Sequence, residues 1–141
     1  MTEADYPYKG EMKIFSPSCK SDKAKGVVTV TDYKKIQTND GDCIKDAMGT
    51  APVVVSVDSS STWHFKLYKF GIIRSTECGT NVDHSLLVTG YGSEDGTIEY
   101  FELKNSWGSK WGVDGYAKIE IKYGEEGICG LNKAPIQVTT N

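Results

Sequence analysis

The sequence predicts an α+β fold, mostly antiparallel β-sheet or barrel with one or two short helices. Three observations carry this. The segment Tyr116-Ala117-Lys118-Ile119-Glu120-Ile121-Lys122-Tyr123 alternates strictly, the period of a strand with one buried and one wet face. Pro52-Val53-Val54-Val55-Ser56-Val57 is a β-branched run bounded by turn formers. Two further β-rich runs, Leu86-Leu87-Val88-Thr89 and Ile98-Glu99-Tyr100-Phe101-Glu102-Leu103, flank Gly92-Ser93-Glu94-Asp95-Gly96, which has the chemistry of a turn.

Taken in order, residues 2–25 hold Pro7, Pro17 and a polar stretch from Ser16 to Lys25, with little pattern for a core, and read as loop. Val27-Val28-Thr29-Val30-Thr31 reads as a strand. Asp42 is placed to cap a short helix, with Ile44, Ala47 and Met48 at helical spacing before Gly49 stops it. After the strand at Val53–Val57 comes a loop at Ser59-Ser60-Ser61. Trp63, Leu67 and Tyr68 fit one short helical turn, followed by a strand around Gly71-Ile72-Ile73. A hairpin closing near Tyr91 and Ile98 and the alternating strand complete the chain. There is no internal repeat and no low-complexity tract.

At 141 residues the chain is of single-domain size, and 38% hydrophobic with 25% charged residues is the composition of a globular protein. A net charge of -3 and a pI near 5.4 provide no broad basic field, which argues against nucleic acid as a partner. No apolar run approaches the length needed to cross a bilayer, so no membrane partner is expected. Met1-Thr2-Glu3-Ala4-Asp5 lacks the basic and apolar regions of a signal peptide. The expectation is therefore a piece of a longer precursor bound for a lysosome or the exterior, or a cytoplasmic protein if Met1 is a genuine start. Cys19, Cys43, Cys78 and Cys129 leave the redox compartment open. Without Cys-x-x-Cys or His-x-x-x-His spacing, no metal site and no cofactor are expected.

The register that pairs Tyr91 with Ile98 also sets His84 opposite Asn105. Cross-strand partners have Cβ atoms about 4.5–5.5 Å apart, within reach of a hydrogen bond from an imidazole N–H to the amide oxygen. Such a bond fixes the tautomer and leaves the other ring nitrogen to face a thiol. A slip of one residue loses the contact. Asp83 alternates to the opposite face from His84, so the adjacent pair is not a triad, and Asp83 is assigned a subsite or electrostatic role. His64 has no cysteine or acid beside it in the sequence and reads as non-catalytic.

The text around these residues is more specific than the residues themselves. Val82-Asp83-His84-Ser85-Leu86-Leu87-Val88-Thr89-Gly90-Tyr91-Gly92, then Lys104-Asn105-Ser106-Trp107-Gly108, Trp111-Gly112, Gly115-Tyr116 and Gly127-Ile128-Cys129-Gly130-Leu131, resembles the papain and cathepsin family of cysteine peptidases. The match begins at Thr2-Glu3-Ala4-Asp5-Tyr6-Pro7-Tyr8 and covers nearly all of this chain, but only the second half or so of a mature enzyme of that family. The resemblance implies that residues 1–25 are a segment crossing from the other lobe and that residues 26–141 are the papain-like right-hand, C-terminal lobe.

By the same resemblance His84 is the general base and acid, Asn105 its orienter, and the nucleophilic cysteine is absent from the chain. Trp107 would cover the Asn–His bond. Ser56, Val82, Ser85 and Ala134 would line the pocket for the residue N-terminal to the cleaved one. None of the four is acidic, so a hydrophobic side chain suits the pocket better than an arginine. The resemblance pairs Cys78 with Cys129, a bridge worth about 4 kcal/mol on the chain-entropy model. Cys19 matches a family cysteine whose partner lies in the other half, and Cys43 has no family equivalent. Gln37 precedes Cys43 at the family's spacing between oxyanion-hole glutamine and nucleophile, yet Asp42-Cys43-Ile44-Lys45 lacks the Cys-Gly-x-Cys-Trp text. The function implied is that of the C-terminal portion of a cysteine endopeptidase, inactive alone, meeting a peptide or protein substrate in combination with the N-terminal half. Another polypeptide is expected over the half-cleft. The alternative is a non-catalytic structural or partner-binding subunit, with an inhibitor-like module as a weaker third reading.

Overall fold

The computed structural model describes residues 1–8, 18–74 and 78–141. Its elements run β1 (Val30–Lys35), α1 (Gly41–Met48), β2 (Val53–Val57), α2 (Trp63–Lys66), β3 (Ile72–Ile73), β4 (His84–Glu94), β5 (Ile98–Lys104), β6 (Tyr116–Glu120) and β7 (Ile136–Thr140), with single 3-10 turns at Lys23–Lys25 and Ile128–Gly130. The strands form one sheet in the order β1-β7-β2-β4-β5-β6-β3. Every pairing is antiparallel except that of β3 with β6.

Alternation decides which face is buried. Val53, Val55 and Val57 of β2, Leu86 and Val88 of β4, Phe101 and Leu103 of β5, and Ala117 and Ile119 of β6 all turn inward. Ile44 from α1 and Phe65 from α2 close over them, both with no exposed surface. Each large apolar side chain fully buried in this way contributes about 1.5–3 kcal/mol relative to exposure. β6 carries the alternation expected of it, and β2 forms where the β-branched run predicts a strand.

Several local expectations are corrected. The first strand begins at Val30 rather than Val27, and Val27 and Val28 are exposed. Its partner is β7, a strand not expected from the sequence, so its position depends on a contact with the far end of the chain. The helix cap is Asp40, not Asp42: its carboxylate accepts the N–H groups of Asp42 and Cys43 at 3.0 and 3.4 Å, satisfying donors that the first turn leaves open. In α2 and the two residues after it, Phe65 and Tyr68 turn inward, whereas Trp63 and Leu67 face solvent.

The hairpin closes at Glu94 and Ile98 rather than at Tyr91 and Ile98. Asp95 and Gly96 both have positive φ, and the Thr97 N–H donates to the Glu94 carbonyl, the mirror-image turn that suits a twisted hairpin. Gly92 belongs to the strand. It pairs with Tyr100, whose ring lies so close that a Cβ at Gly92 would sit 2.9 Å from the phenol oxygen. With a register shift between Val88 and Gly90, Leu87 pairs with Lys104 and the ladder ends there. His84 and Asn105 are not cross-strand partners. Of the loop expected over residues 2–25, Pro17 and Ser16 lie outside the described residues.

Candidate active site

His84 opens β4 and pairs with Val57 of β2, one residue after the Asp83 N–H donates to the Val57 carbonyl at 3.0 Å. Asn105 stands just past the end of β5, where its N–H donates to the Gly115 carbonyl at 2.9 Å. That bond extends the β5–β6 ladder by one residue beyond Lys104 and Tyr116 and holds the Asn105 backbone beside the start of β4. His84 Nε2 and Asn105 Oδ1 are then 2.8 Å apart, so the contact expected from the β4–β5 register is made from just past the end of β5.

The protonation pattern follows from one further bond. The Ser106 N–H donates to the same Asn105 atom at 2.7 Å. A backbone N–H only donates, so that atom is the amide oxygen, and a ring nitrogen facing it must carry the proton. Nε2–H is therefore the donor, and in the neutral ring Nδ1 is left with a free lone pair. Asn105 is 8% exposed, and its Nδ2 is buried with no hydrogen-bond partner among the described residues.

An aromatic frame fixes the ring plane. Trp107 stacks on the imidazole at 4.7 Å between centroids and 24° between planes. Phe65 meets the imidazole at 6.4 Å and Trp107 at 5.7 Å, edge-on in each case. Trp111 packs against Phe65 at 5.2 Å, and its indole N–H donates to the carbonyls of Phe65 and Lys66, which locks α2 in place. Excluding water on this side strengthens the Nε2–H···O bond through the lower local dielectric. Phe65 is a site residue that the sequence alone did not single out. Its signal was the Phe65–Tyr68 spacing, which sets one aromatic in α2 and one just after it on the buried side.

Asp83 does not join the imidazole ring. Its carboxylate accepts from the Ser59 N–H at 2.8 Å, from the Ser59 hydroxyl at 2.9 Å and from the Ser60 hydroxyl. The Ser60 hydroxyl foremost, the Ser59 N–H and, more weakly, the nearby His84 hold this carboxyl below its usual value despite some burial. Of the residues expected to line a pocket, Ser56 and Ser85 are direct cross-strand partners. Ala134 is exposed just before β7, whose pairing of Ile136 with Val54 directs it toward the Ser56 end of β2. Val82 lies close to Gly130, where an added Cβ would come within 2.8 Å of its methyl.

Cys78 and Cys129 are joined, with Cα atoms 5.0 Å apart across 51 residues of chain. Cys19 is a free, exposed thiol, and Cys43 is free and half-buried. The Cys43 Sγ lies 3.5 Å from an Asp40 carboxylate oxygen. Burial first, and then that carboxylate, push the Cys43 thiol above its usual value, the reverse of what a nucleophilic thiolate requires. Among the described residues no group of three or more His, Cys, Asp or Glu is placed to hold a metal ion.

This frame has counterparts. The model of the papain family cysteine proteases matches residues 1–139. The chain belongs to that family. Cysteine proteinase COT44 of Brassica napus is 37% identical over 131 residues, covering 92% of this chain and 38% of the relative. Germination-specific cysteine protease 1 of Arabidopsis thaliana is 38% identical over 133 residues, 92% of this chain and 34% of its own. The chain thus spans little more than a third of the curated relatives it matches. Among solved structures, digestive procathepsin L 3 of the Tenebrio molitor larval midgut superposes with a TM-score of 0.84 at 34% identity, over 99% of this chain and 43% of that one. The bromelain protease of Ananas comosus, solved in complex with the E64 inhibitor, gives 0.83 at 29% identity, over 98% and 61%. A papain-like α+β lobe, with a seven-stranded, mostly antiparallel sheet and few short helices, is therefore the architecture of this protein.

Proposed function

We propose that this chain supplies the acid–base half of a papain-type cysteine endopeptidase. His84 exchanges the proton, Asn105 orients it, and the attacking thiol comes from polypeptide outside this sequence. The observation that carries the reading is the hydrogen bond from Nε2–H to the Asn105 oxygen, pinned by the Ser106 N–H. It aims the Nδ1 lone pair away from the amide, where it can take a proton from a thiol and return it to the leaving amine. The imidazolium formed in that step stays hydrogen-bonded through Nε2 and shielded by Trp107.

The four cysteines of the chain support an external nucleophile. Two are in the disulfide, Cys43 is held as a thiol, and Cys19 is exposed in the segment before β1. A second polypeptide segment covers the imidazole face in this reading. Trp107 is 39% exposed, and Ser85, Lys104 and Ser106 beside it are open to solvent, which is surface that suits a partner. A hydrophobic substrate side chain fits beside Ser56 and Ser85 better than a cationic one, since neither residue supplies an acid.

The test is hydrolysis of fluorogenic peptides by the chain alone, by the chain reconstituted with a cysteine-bearing N-terminal lobe, and by the same mixture carrying His84→Ala. Turnover is expected only in the second sample. Turnover by the chain alone that an alkylating agent blocks at Cys43 would overturn the assignment. A reconstituted complex that binds but stays inert favours the non-catalytic subunit.

A further inference from the structure

We propose that Asp58 is a positioning residue for the imidazole, a buried carboxylate that joins the disulfide loop to the serine loop holding Asp83 beside His84. Asp58 follows β2 directly and is 1% exposed. Its backbone N–H donates to the carbonyl of Cys129 at 2.8 Å, and Cys129 is bridged to Cys78. One carboxylate oxygen accepts the Ser61 N–H at 2.9 Å, and the other accepts the Ser61 hydroxyl at 2.6 Å and the Asn81 N–H at 3.0 Å. Gly79 closes so tightly on this carboxylate that an added Cβ would lie 2.6 Å from it.

Two carboxylates therefore grip one three-residue loop from opposite ends. Asp58 takes Ser61, while Asp83 takes Ser59 and the Ser60 hydroxyl. Because Asp83 immediately precedes His84 and is tied to Val57, the loop sets where β4 begins and so where the imidazole sits. The Ser61 N–H, the Ser61 hydroxyl and the Asn81 N–H all donate to the Asp58 carboxylate. An anion with free lone pairs on both oxygens satisfies all of them, whereas an amide must turn its NH₂ toward one of those donors. Burial pushes the Asp58 carboxyl up, and the hydrogen bonds from Ser61, Asn81 and Ser60 outweigh it, leaving the group ionised. The charged groups on the loops packed here, among the described residues, are Asp83 and the Lys133–Glu126 pair, in which the Lys133 ammonium also donates to the Thr80 carbonyl.

This role rests on His84 being the acid–base group, but its test reads ring geometry rather than turnover, so the two stand or fall separately. The isosteric variant Asp58→Asn is compared with Val55→Ala, a core change in β2 that touches neither loop, at matched loss of urea midpoint. The readouts are the His84 ring proton resonances by NMR and amide exchange at residues 59–61 and 79–83. D58N is expected to shift or broaden the His84 signals and to raise exchange in both loops at least tenfold, with V55A leaving the ring signals in place. Unchanged His84 signals in D58N, or the same change in V55A, would overturn the proposal. Should D58N fail to fold, Ser61→Ala removes a single donor and is expected to give a smaller change of the same kind; wild-type ring signals in S61A would then overturn it.

Discussion

Replacing Asn105 by alanine separates a residue kept for function from one kept for stability. The side chain makes two hydrogen bonds through Oδ1, from His84 and from Ser106, each worth about 1 kcal/mol net. Ser106 is exposed, so its N–H finds water once the amide is gone. The same substitution removes Nδ2, a buried donor with no partner among the described residues, whose desolvation costs about 1–3 kcal/mol. Loss and relief nearly cancel, so the variant should unfold within about 1 kcal/mol of the parent. The imidazole, freed of its acceptor, should lose the fixed Nε2–H tautomer. Urea unfolding followed by Trp fluorescence gives the first quantity, and the ring nitrogen shifts of His84 give the second. A destabilisation of about 3 kcal/mol or more with an unchanged His84 spectrum would refute the reasoning and make Asn105 a structural residue.

Phe65→Ala should cost about 3–5 kcal/mol, because a side chain with no exposed surface is removed from between Trp107, Trp111 and His84; urea midpoints check this, together with a red shift in Trp emission. Replacing Cys78 and Cys129 by serine releases a loop of 51 residues that contains β4, β5 and β6, and should lower stability by about 4 kcal/mol in the same assay. Asp58 and Asp83 both sit below the ordinary carboxylate value of 3.8. Their contribution is complete above that value and is lost as pH falls through the lower folded values, so acid unfolding curves should steepen below 3.8 and flatten there in Asp83→Asn.

The sheet was legible where side chains alternate within one strand, as in β2 and β6. It was illegible where a distant partner makes the strand. β1 is exposed along its whole length and is held by β7, so its own residues say little about where it starts. Gly92 misled for a different reason. Glycine reads as a turn former, but here it makes room for the Tyr100 ring across the strand, and the turn narrows to the Asp95–Gly96 end of the expected segment. The resemblance located His84 and Asn105, whereas the expected β4–β5 register offered the wrong cause for their contact: Asn105 is held from the other side, by a bond to Gly115 that continues the β5–β6 ladder. The serine loop was legible as a loop, but the role of Asp58 went unread because a buried carboxylate surrounded by donors has no periodic signature.

The most direct test of the acid–base assignment is the ionisation of the partner thiol in the reconstituted complex. With the wild-type chain the cysteine should ionise well below its free value of about 8.5, and with His84→Ala it should return toward that value. An equally depressed thiol in both complexes would show that something other than His84 activates it, and would contradict the assignment.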